Sequence, residues 1–145
     1  MSEKGDYEQL KLENQLCFPL YAASRKVISK YQPYFQPLGI TYTQYLVFMV
    51  LWEDDDLSVG DICKKLYLDS GTLTPLLKKM EEKGWIKRTR MKFDERIVHV
   101  SLTGDGRAMR AKCKDIPSQV GTCVKMDPED AKNLHRILYE LIEVL

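Results

Sequence analysis

The sequence predicts a mainly α-helical chain with a small β wing: a winged helix-turn-helix with N- and C-terminal dimerisation helices. Three observations predict it. Residues 58–83 hold two short amphipathic helices separated by a tight turn at Tyr67 and Leu68. Residues 85–90, W-I-K-R-T-R, and 96–102, R-I-V-H-V-S-L, are β-rich and flank a charged loop, M-K-F-D-E. Amphipathic helical patterns occupy both ends of the chain, outside that core.

Each element has a local reason. Leu16, Leu20, Val27 and Tyr31 recur at helical spacing, so residues 8–31 read as helix. Pro19 interrupts the pattern, because its ring excludes the backbone bond to residue 15. Either the helix kinks there or a new one begins near Phe18. P-Y-F-Q-P-L-G-I, residues 33–40, ends the segment. Thr43 is the expected cap of a second helix over residues 43–52, apolar almost throughout and so expected to be buried on most sides. The acidic run from Glu53 to Asp56 closes it. Ser58 with Asp61 three residues on starts a third helix, with Ile62, Cys63 and Leu66 facing inward. Asp69 or Ser70 caps a fourth, which runs to Lys83 and ends at Gly84; Leu73, Leu76, Leu77 and Met80 are its core stripe. Thr103 starts a fifth helix that runs to about Asp115, and Pro117 and Gly121 interrupt the helical pattern beyond it. D-P-E-D at 127–130 is a helix start with an Asp cap, Pro in first position and acids against the dipole. Leu134, Ile137, Leu138, Leu141, Ile142 and Leu145 then form a broad apolar stripe.

A chain of 145 residues is expected to be one domain, residues 1–145. Within it, about 40–105 forms the winged core, and about 8–38 and 106–145 the dimerisation helices. The outer helices either cover the core of a monomer or pair with their copies in a second subunit; a two-fold homodimer is the reading adopted. It would let two small modules read two half-sites about one helical turn apart.

Composition narrows the function classes. No apolar run approaches the ~20 residues of a membrane span, so no membrane partner is expected. M-S-E-K-G-D-Y lacks an apolar signal region, which argues against export. The four cysteines form no C-x-x-C pair, so neither a disulfide framework nor a metal site is suggested, and no cofactor is called for. A cytoplasmic location is the expectation. The net charge is only +1. Between Ser58 and Lys112, however, thirteen Lys or Arg face seven Asp or Glu. A basic centre between more acidic ends suits a module that reads double-stranded DNA.

The expected DNA contacts lie on the second helix of the motif and on the wing. Ser70, Thr72 and Thr74 open the helix, where hydroxyls and the helix N-terminus can meet bases or phosphates. Lys78 and Lys79 follow one turn later; elsewhere such a pair would be an ordinary solvated face. The wing carries Lys87, Arg88, Arg90, Lys92 and Arg96, with Asp94 and Glu95 beside the last. An arginine at a wing tip can enter the narrow minor groove, and a neighbouring Asp can hold it in position. The bland alternative is a solvated hairpin of balanced charge.

Cys17 sits in L-E-N-Q-L-C-F-P-L-Y. A cysteine among apolar residues is most often an inert core residue. Here Tyr21 shares its helical face, and Tyr31, fourteen residues on, returns close to it. A straight helix would separate Cys17 and Tyr31 by roughly 21 Å, so they could meet only across a dimer axis between antiparallel helices. A thiol ringed by phenols is one whose thiolate can be hydrogen-bonded. Cys63 reads as structural and Cys113 has no motif. Cys123 falls in a stretch read as irregular, between Pro117 and Asp127, where a second thiol could approach a first.

These residues resemble a family. L-E-N-Q-L-C-F with Tyr21, then Tyr31, I-T-Y-T-Q-Y, L-Y-L-D-S-G-T-L-T-P-L-L-K and D-E-R in the wing are similar to the MarR-type winged-helix repressors, and specifically to their organic hydroperoxide-sensing, OhrR-like branch, over about residues 10–145. The resemblance implies a homodimer on a pseudo-palindromic operator, with an organic hydroperoxide as inducer. It makes Cys17 the redox sensor and Tyr21, Tyr31 and Tyr42 the pocket around it, partly from the partner subunit. It places helix 70–83 in the major groove and the Asp94–Arg96 pair in the minor groove. It also implies a second step after the first oxidation: a small thiol, or a resolving cysteine near the C-terminal helices. Cys123 is in the right region for that role and Cys113 is the weaker candidate. Two other readings remain: a repressor of the same fold released by a phenolic or other small ligand, and a thiol peroxidase. The second lacks any thioredoxin-like βαβ pattern, so the chain is not expected to be an enzyme.

Overall fold

Side-chain caps set most helix starts in the computed structural model, which describes residues 7–145. The N-terminal residues 1–6, on which part of the signal-region reading falls, lie outside the described residues. Two 3-10 turns, Glu8–Leu10 and Leu12–Asn14, precede helix α1, Cys17–Ser29. Of the two alternatives at Pro19 the second holds, since a new helix begins at Cys17, and only the helix expected over residues 8–14 is replaced by 3-10 turns. Pro19 occupies the third position of α1, where its missing N–H has no intrahelical acceptor to lose. One turn, α2 (Gln32–Phe35), and a 3-10 turn, Gln36–Leu38, lead to α3, Tyr42–Glu53.

The cap of α3 is Thr41 and not Thr43. Its hydroxyl accepts from the Gln44 N–H at 3.2 Å, and the Gln44 side chain accepts from the Thr41 N–H at 3.0 Å, a complete capping box. As expected, α3 is buried widely, through Tyr45, Val47, Phe48 and Leu51. Strand β1, Leu57–Ser58, precedes α4, Val59–Leu66, which Ser58 caps through the Asp61 N–H. Tyr67 takes a left-handed turn, φ 55°, into α5, Ser70–Glu82, which Asp69 caps through the Thr72 N–H at 2.7 Å. Gly84, φ 78°, ends that helix in a conformation that only glycine adopts freely.

The wing is β2, Ile86–Arg90, and β3, Val98–Leu102, paired antiparallel with Arg88 opposite Val100. Strand β1, which is too short to show in the sequence, adds to the other edge of β3, giving the order β1-β3-β2. Helix α6, Gly104–Cys113, starts at the Thr103 cap. Next, α7 runs Ile116–Cys123. The irregular stretch expected after Pro117 is thus mostly helix: Pro117 is the second helical position, where proline is tolerated, and Gly121 lies within. Helix α8, Pro128–Val144, begins at the Asp127 cap.

The core joins α3, α4, α5, the wing and α6, with Phe35 of α2 and Ile116 and Val120 of α7 at its edge. Phe48, Leu51, Ile62, Leu77, Met80 and Val100 are fully enclosed. At its edge α6 meets Trp85, the residue before β2. Gly106 lies there so close that a Cβ would stand 2.1 Å from the Trp85 carbonyl oxygen, and its own carbonyl accepts from the Trp52 indole at 3.0 Å. The terminal helices contrast with this core: neither α1 nor α8 buries a single residue. Leu20, Leu134, Ile137 and Ile142 point into solvent. In one chain α1 and α8 therefore do not cover the core, whereas α2, α6 and α7, which lie in the segments expected to be dimerisation helices, add Phe35, Met109, Cys113, Ile116 and Val120 to it. Among the described residues no helix is long and apolar enough to cross a membrane.

Candidate nucleic-acid interface and thiol site

Helix α5 and the wing frame a cleft lined by Ser70, Thr74, Arg88, Arg90, Arg96 and His99. It brings together five of the predicted contact residues. Ser70, Thr74 and Lys78, four apart, follow one flank of α5; Thr72 and Lys79, seven apart, follow the other. All five are exposed. Gly71 and Pro75 lie between the flanks, so the middle of the exposed face is low. Neither carries a signal of that role in the sequence.

The three cleft arginines differ in what holds them. Glu81 of α5 accepts the Arg88 backbone N–H at 2.8 Å and the guanidinium at 3.1 and 3.3 Å. The bond from the Arg88 N–H, with help from the guanidinium, keeps Glu81 below the usual range of its carboxyl. Arg88, which the sequence groups with the free wing cations, is in fact the tie between recognition helix and wing. Arg90 donates to the Glu95 carbonyl at 2.8 Å, bracing the loop. Arg96 is 91% exposed and pairs with Asp94 at 3.1 Å. Side-chain and backbone bonds from Arg96 hold Asp94 below the usual carboxylate range. That pin is present at neutral pH and is lost only as pH falls through the lowered value. The sequence reading also missed His99, whose Nδ1 lies 3.2 Å from Asp56.

The two arginines should therefore respond differently to truncation. Arg96→Ala should weaken DNA binding and reduce the slope of log affinity against log salt by about one. Arg88→Ala should lower the unfolding midpoint and leave that slope unchanged. DNA titrations at several salt concentrations, beside urea unfolding, check both.

The thiol site is split. Cys17 is the first residue of α1 and is exposed; its cap, Leu16, offers no side-chain acceptor to the first-turn N–H groups. Tyr21 is 59% exposed, with the Arg25 guanidinium 5.4 Å from its ring centroid. Tyr31 and Tyr42 lie past the other end of α1, a helix of thirteen residues, hence roughly 20 Å long. Their rings meet edge to face at 5.1 Å. Phe35 and Tyr45 complete a box, at 5.2 and 5.9 Å from Tyr31. Tyr45 was missed by the sequence reading, since nothing there separates it from the rest of a buried helix. Burial, then Tyr31, raises Tyr42; burial, with Tyr31, Cys113 and Tyr42 adding, pushes Tyr45 up to about 12. Within one chain, then, Tyr31 and Tyr42 come together but not with Cys17.

The other thiols sort by burial. Cys113 is enclosed beneath the box and its thiol is pushed up by that burial. Cys63 is half-buried and raised by burial and by Asp69. Cys123, the last residue of α7, is exposed, with its sulfur 3.7 Å from the Gln119 carbonyl. Among the described residues no group of three His, Cys, Asp or Glu could hold a metal ion.

Residues 29–113 match the family model described as the transcriptional regulator SarA/Rot. The chain is 49% identical over 142 residues to the organic hydroperoxide resistance transcriptional regulator of Bacillus subtilis (strain 168), covering 98% of this chain and 97% of that protein. The chain belongs to the MarR-type winged-helix regulators. Within them it falls in the branch of that organic hydroperoxide resistance regulator. As a member it is a DNA-binding transcriptional regulator. Its structure is similar to reduced AbfR bound to DNA, at TM-score 0.78 and 35% identity, covering 95% of this chain and 96% of the other. AbfR comes from Staphylococcus epidermidis. Similarity to the disulfide-formed AbfR is lower, TM-score 0.61, covering 94% and 91%.

Proposed function

We propose that this MarR-type regulator is a homodimeric repressor that holds a pseudo-palindromic operator while Cys17 is reduced and releases it when an organic hydroperoxide oxidises that thiol. The observation that carries the reading is the split thiol site. An exposed cysteine stands at one end of a helix that buries nothing, and a box of tyrosines stands at the other. A second copy with α1 antiparallel would set Cys17 of one subunit against Tyr31 and Tyr42 of the other. The same pairing would cover α8. Phenol hydroxyls and the uncapped first turn of α1 would then stabilise a thiolate.

The chemistry is a two-electron oxidation. The Cys17 thiolate attacks the outer oxygen of the hydroperoxide, the O–O bond breaks, and the alkoxide leaves and takes a proton to become an alcohol. Sulfenic acid remains on Cys17. A second thiol condenses with it, releasing water and forming a disulfide. Cys123 of the second copy is the proposed resolving thiol, since it is exposed at a helix end; a small thiol would serve otherwise. Burial sets Cys113 aside. Either product would shift the two DNA lobes, and their recognition helices would no longer fit successive grooves. Ser70, Thr72, Thr74, Lys78, Lys79, Arg90 and Arg96 are the proposed contacts, with Asp94 and Arg88 positioning the wing. The higher similarity to reduced, DNA-bound AbfR than to its disulfide form supports reading this conformation as the binding one.

A non-reducing gel after treatment with cumene hydroperoxide tests the second step. A covalent dimer is expected, absent in Cys17→Ser and in Cys123→Ser. A dimer that persists in Cys123→Ser would reassign the resolving thiol. In parallel, a sulfenic-acid probe should label Cys17 in Cys123→Ser; labelling elsewhere and not there would count against the sensor.

A further inference from the structure

Phe93, at the tip of the wing, is an apolar side chain held out in solvent by a braced loop. It is 79% exposed. Single exposed apolar residues are ordinary on protein surfaces, but this one stands on an ordered support. The Met91 N–H donates to the Ile97 carbonyl and the Ile97 N–H to the Asp94 carbonyl, each at 3.0 Å. Arg90 reaches across to the Glu95 carbonyl at 2.8 Å. Arg96 grips Asp94 through its guanidinium and its backbone N–H. The residues around Phe93 are thus fixed by one another, and the ring projects from a loop whose ordering cost on binding is already met.

Its surroundings name the occupant. Asp94 and Glu95 follow it directly, but Asp94 is engaged by Arg96. Across residues 86–98 the wing carries five Lys or Arg against those two acids, so the ring stands on a hairpin with a cationic surplus suited to a polyanion. The minor groove offers negative potential together with apolar walls of deoxyribose, and its base steps admit apolar wedges. We propose that Phe93 packs its ring against deoxyribose in the minor groove, adding an apolar contact beside the ionic one made by Arg96. The proposal rests on the operator reading and specifies how the wing tip takes part in it.

Salt dependence separates such a contact from a phosphate contact, because burying a neutral ring displaces no counterions. The test uses a duplex selected by the reduced, unsubstituted chain from a random library, and a random duplex for comparison. Phe93→Ala should bind the selected duplex about tenfold more weakly, with unchanged salt slope and unchanged thermal midpoint. Because deoxyribose is common to every duplex, affinity for the random duplex should fall as well, again with unchanged salt slope, and Phe93→Trp should bind as the phenylalanine does. Hydroxyl-radical footprints should lose sugar protection at the outer edges of the site in Phe93→Ala alone. Equal binding of the selected duplex by Phe93→Ala would overturn the proposal and leave the operator reading intact, since both proteins would still hold the duplex. A fall in salt slope would also overturn it, by showing that the substitution acts through the cations.

Discussion

Cys17→Ser should hold DNA as tightly as the unsubstituted chain and keep holding it in the presence of an organic hydroperoxide. A serine hydroxyl presents no thiolate to attack the O–O bond, so the first step cannot occur. Retained binding is expected because Cys17 is exposed on α1 and touches neither the core nor the cleft between α5 and the wing. In the unsubstituted chain, oxidation should weaken binding by roughly 5- to 150-fold, the usual span of a coupling between two sites. In the variant that change should vanish. Fluorescence anisotropy with a labelled duplex, before and after cumene hydroperoxide, measures both. Release from Cys17→Ser at the same oxidant dose would show that another group senses the peroxide.

Gly106→Ala is expected to destabilise the winged lobe by about 3 kcal/mol or more, at or above the upper end of ordinary overpacking. The added Cβ would stand 2.1 Å from the Trp85 carbonyl oxygen, a backbone atom that cannot swing aside as a side chain can. The same oxygen accepts the Thr103 N–H at 3.0 Å, so moving it also disturbs the start of α6. The chain has two tryptophans, and both touch this junction: Trp85 through that carbonyl, Trp52 through its indole bond to the Gly106 carbonyl. Intrinsic fluorescence therefore reports the site directly. Urea unfolding followed by that signal should show a lower midpoint and altered emission in the folded baseline. An unchanged midpoint would mean that α6 can shift away from the Trp85 carbonyl at little cost.

The features legible in the sequence are those that local chemistry decides. Ser58, Asp69 and Asp127 cap the helices they were expected to cap, because an N-cap acts on N–H groups two or three residues away. The apolar stripe of α5 and the strands of the wing were legible from periodicity. Errors arose where one residue type has two local meanings. Pro19 and Pro117 look like breaks in the pattern, yet both sit in first turns, where proline is harmless. Threonines at 41 and 43 are both capping types, and only the Gln44 partner selects the first.

The site was less legible, since its key pairings are made by tertiary return of the chain. Arg88 looks like any wing cation in sequence. Its engagement by Glu81 depends on the turn at Gly84 bringing β2 back along α5. The aromatic box joins Tyr31 and Phe35 to Tyr42 and Tyr45 across the turn at residues 36–41, and only Tyr31 and Tyr42 were anticipated. The amphipathic pattern of α1 and α8 could not distinguish a cover for the core from a face for a second copy. Their lack of buried residues in a single chain favours the second copy.

If one thiol controls DNA binding, a redox cycle on the unsubstituted chain must switch that binding off and on again. A labelled duplex selected by the reduced protein is followed by anisotropy through stoichiometric cumene hydroperoxide and then dithiothreitol, with mass spectrometry of Cys17 at each stage. Release is expected as Cys17 is oxidised, and full rebinding as it is reduced. A duplex that stays bound while Cys17 is demonstrably oxidised would show that the thiol does not control it.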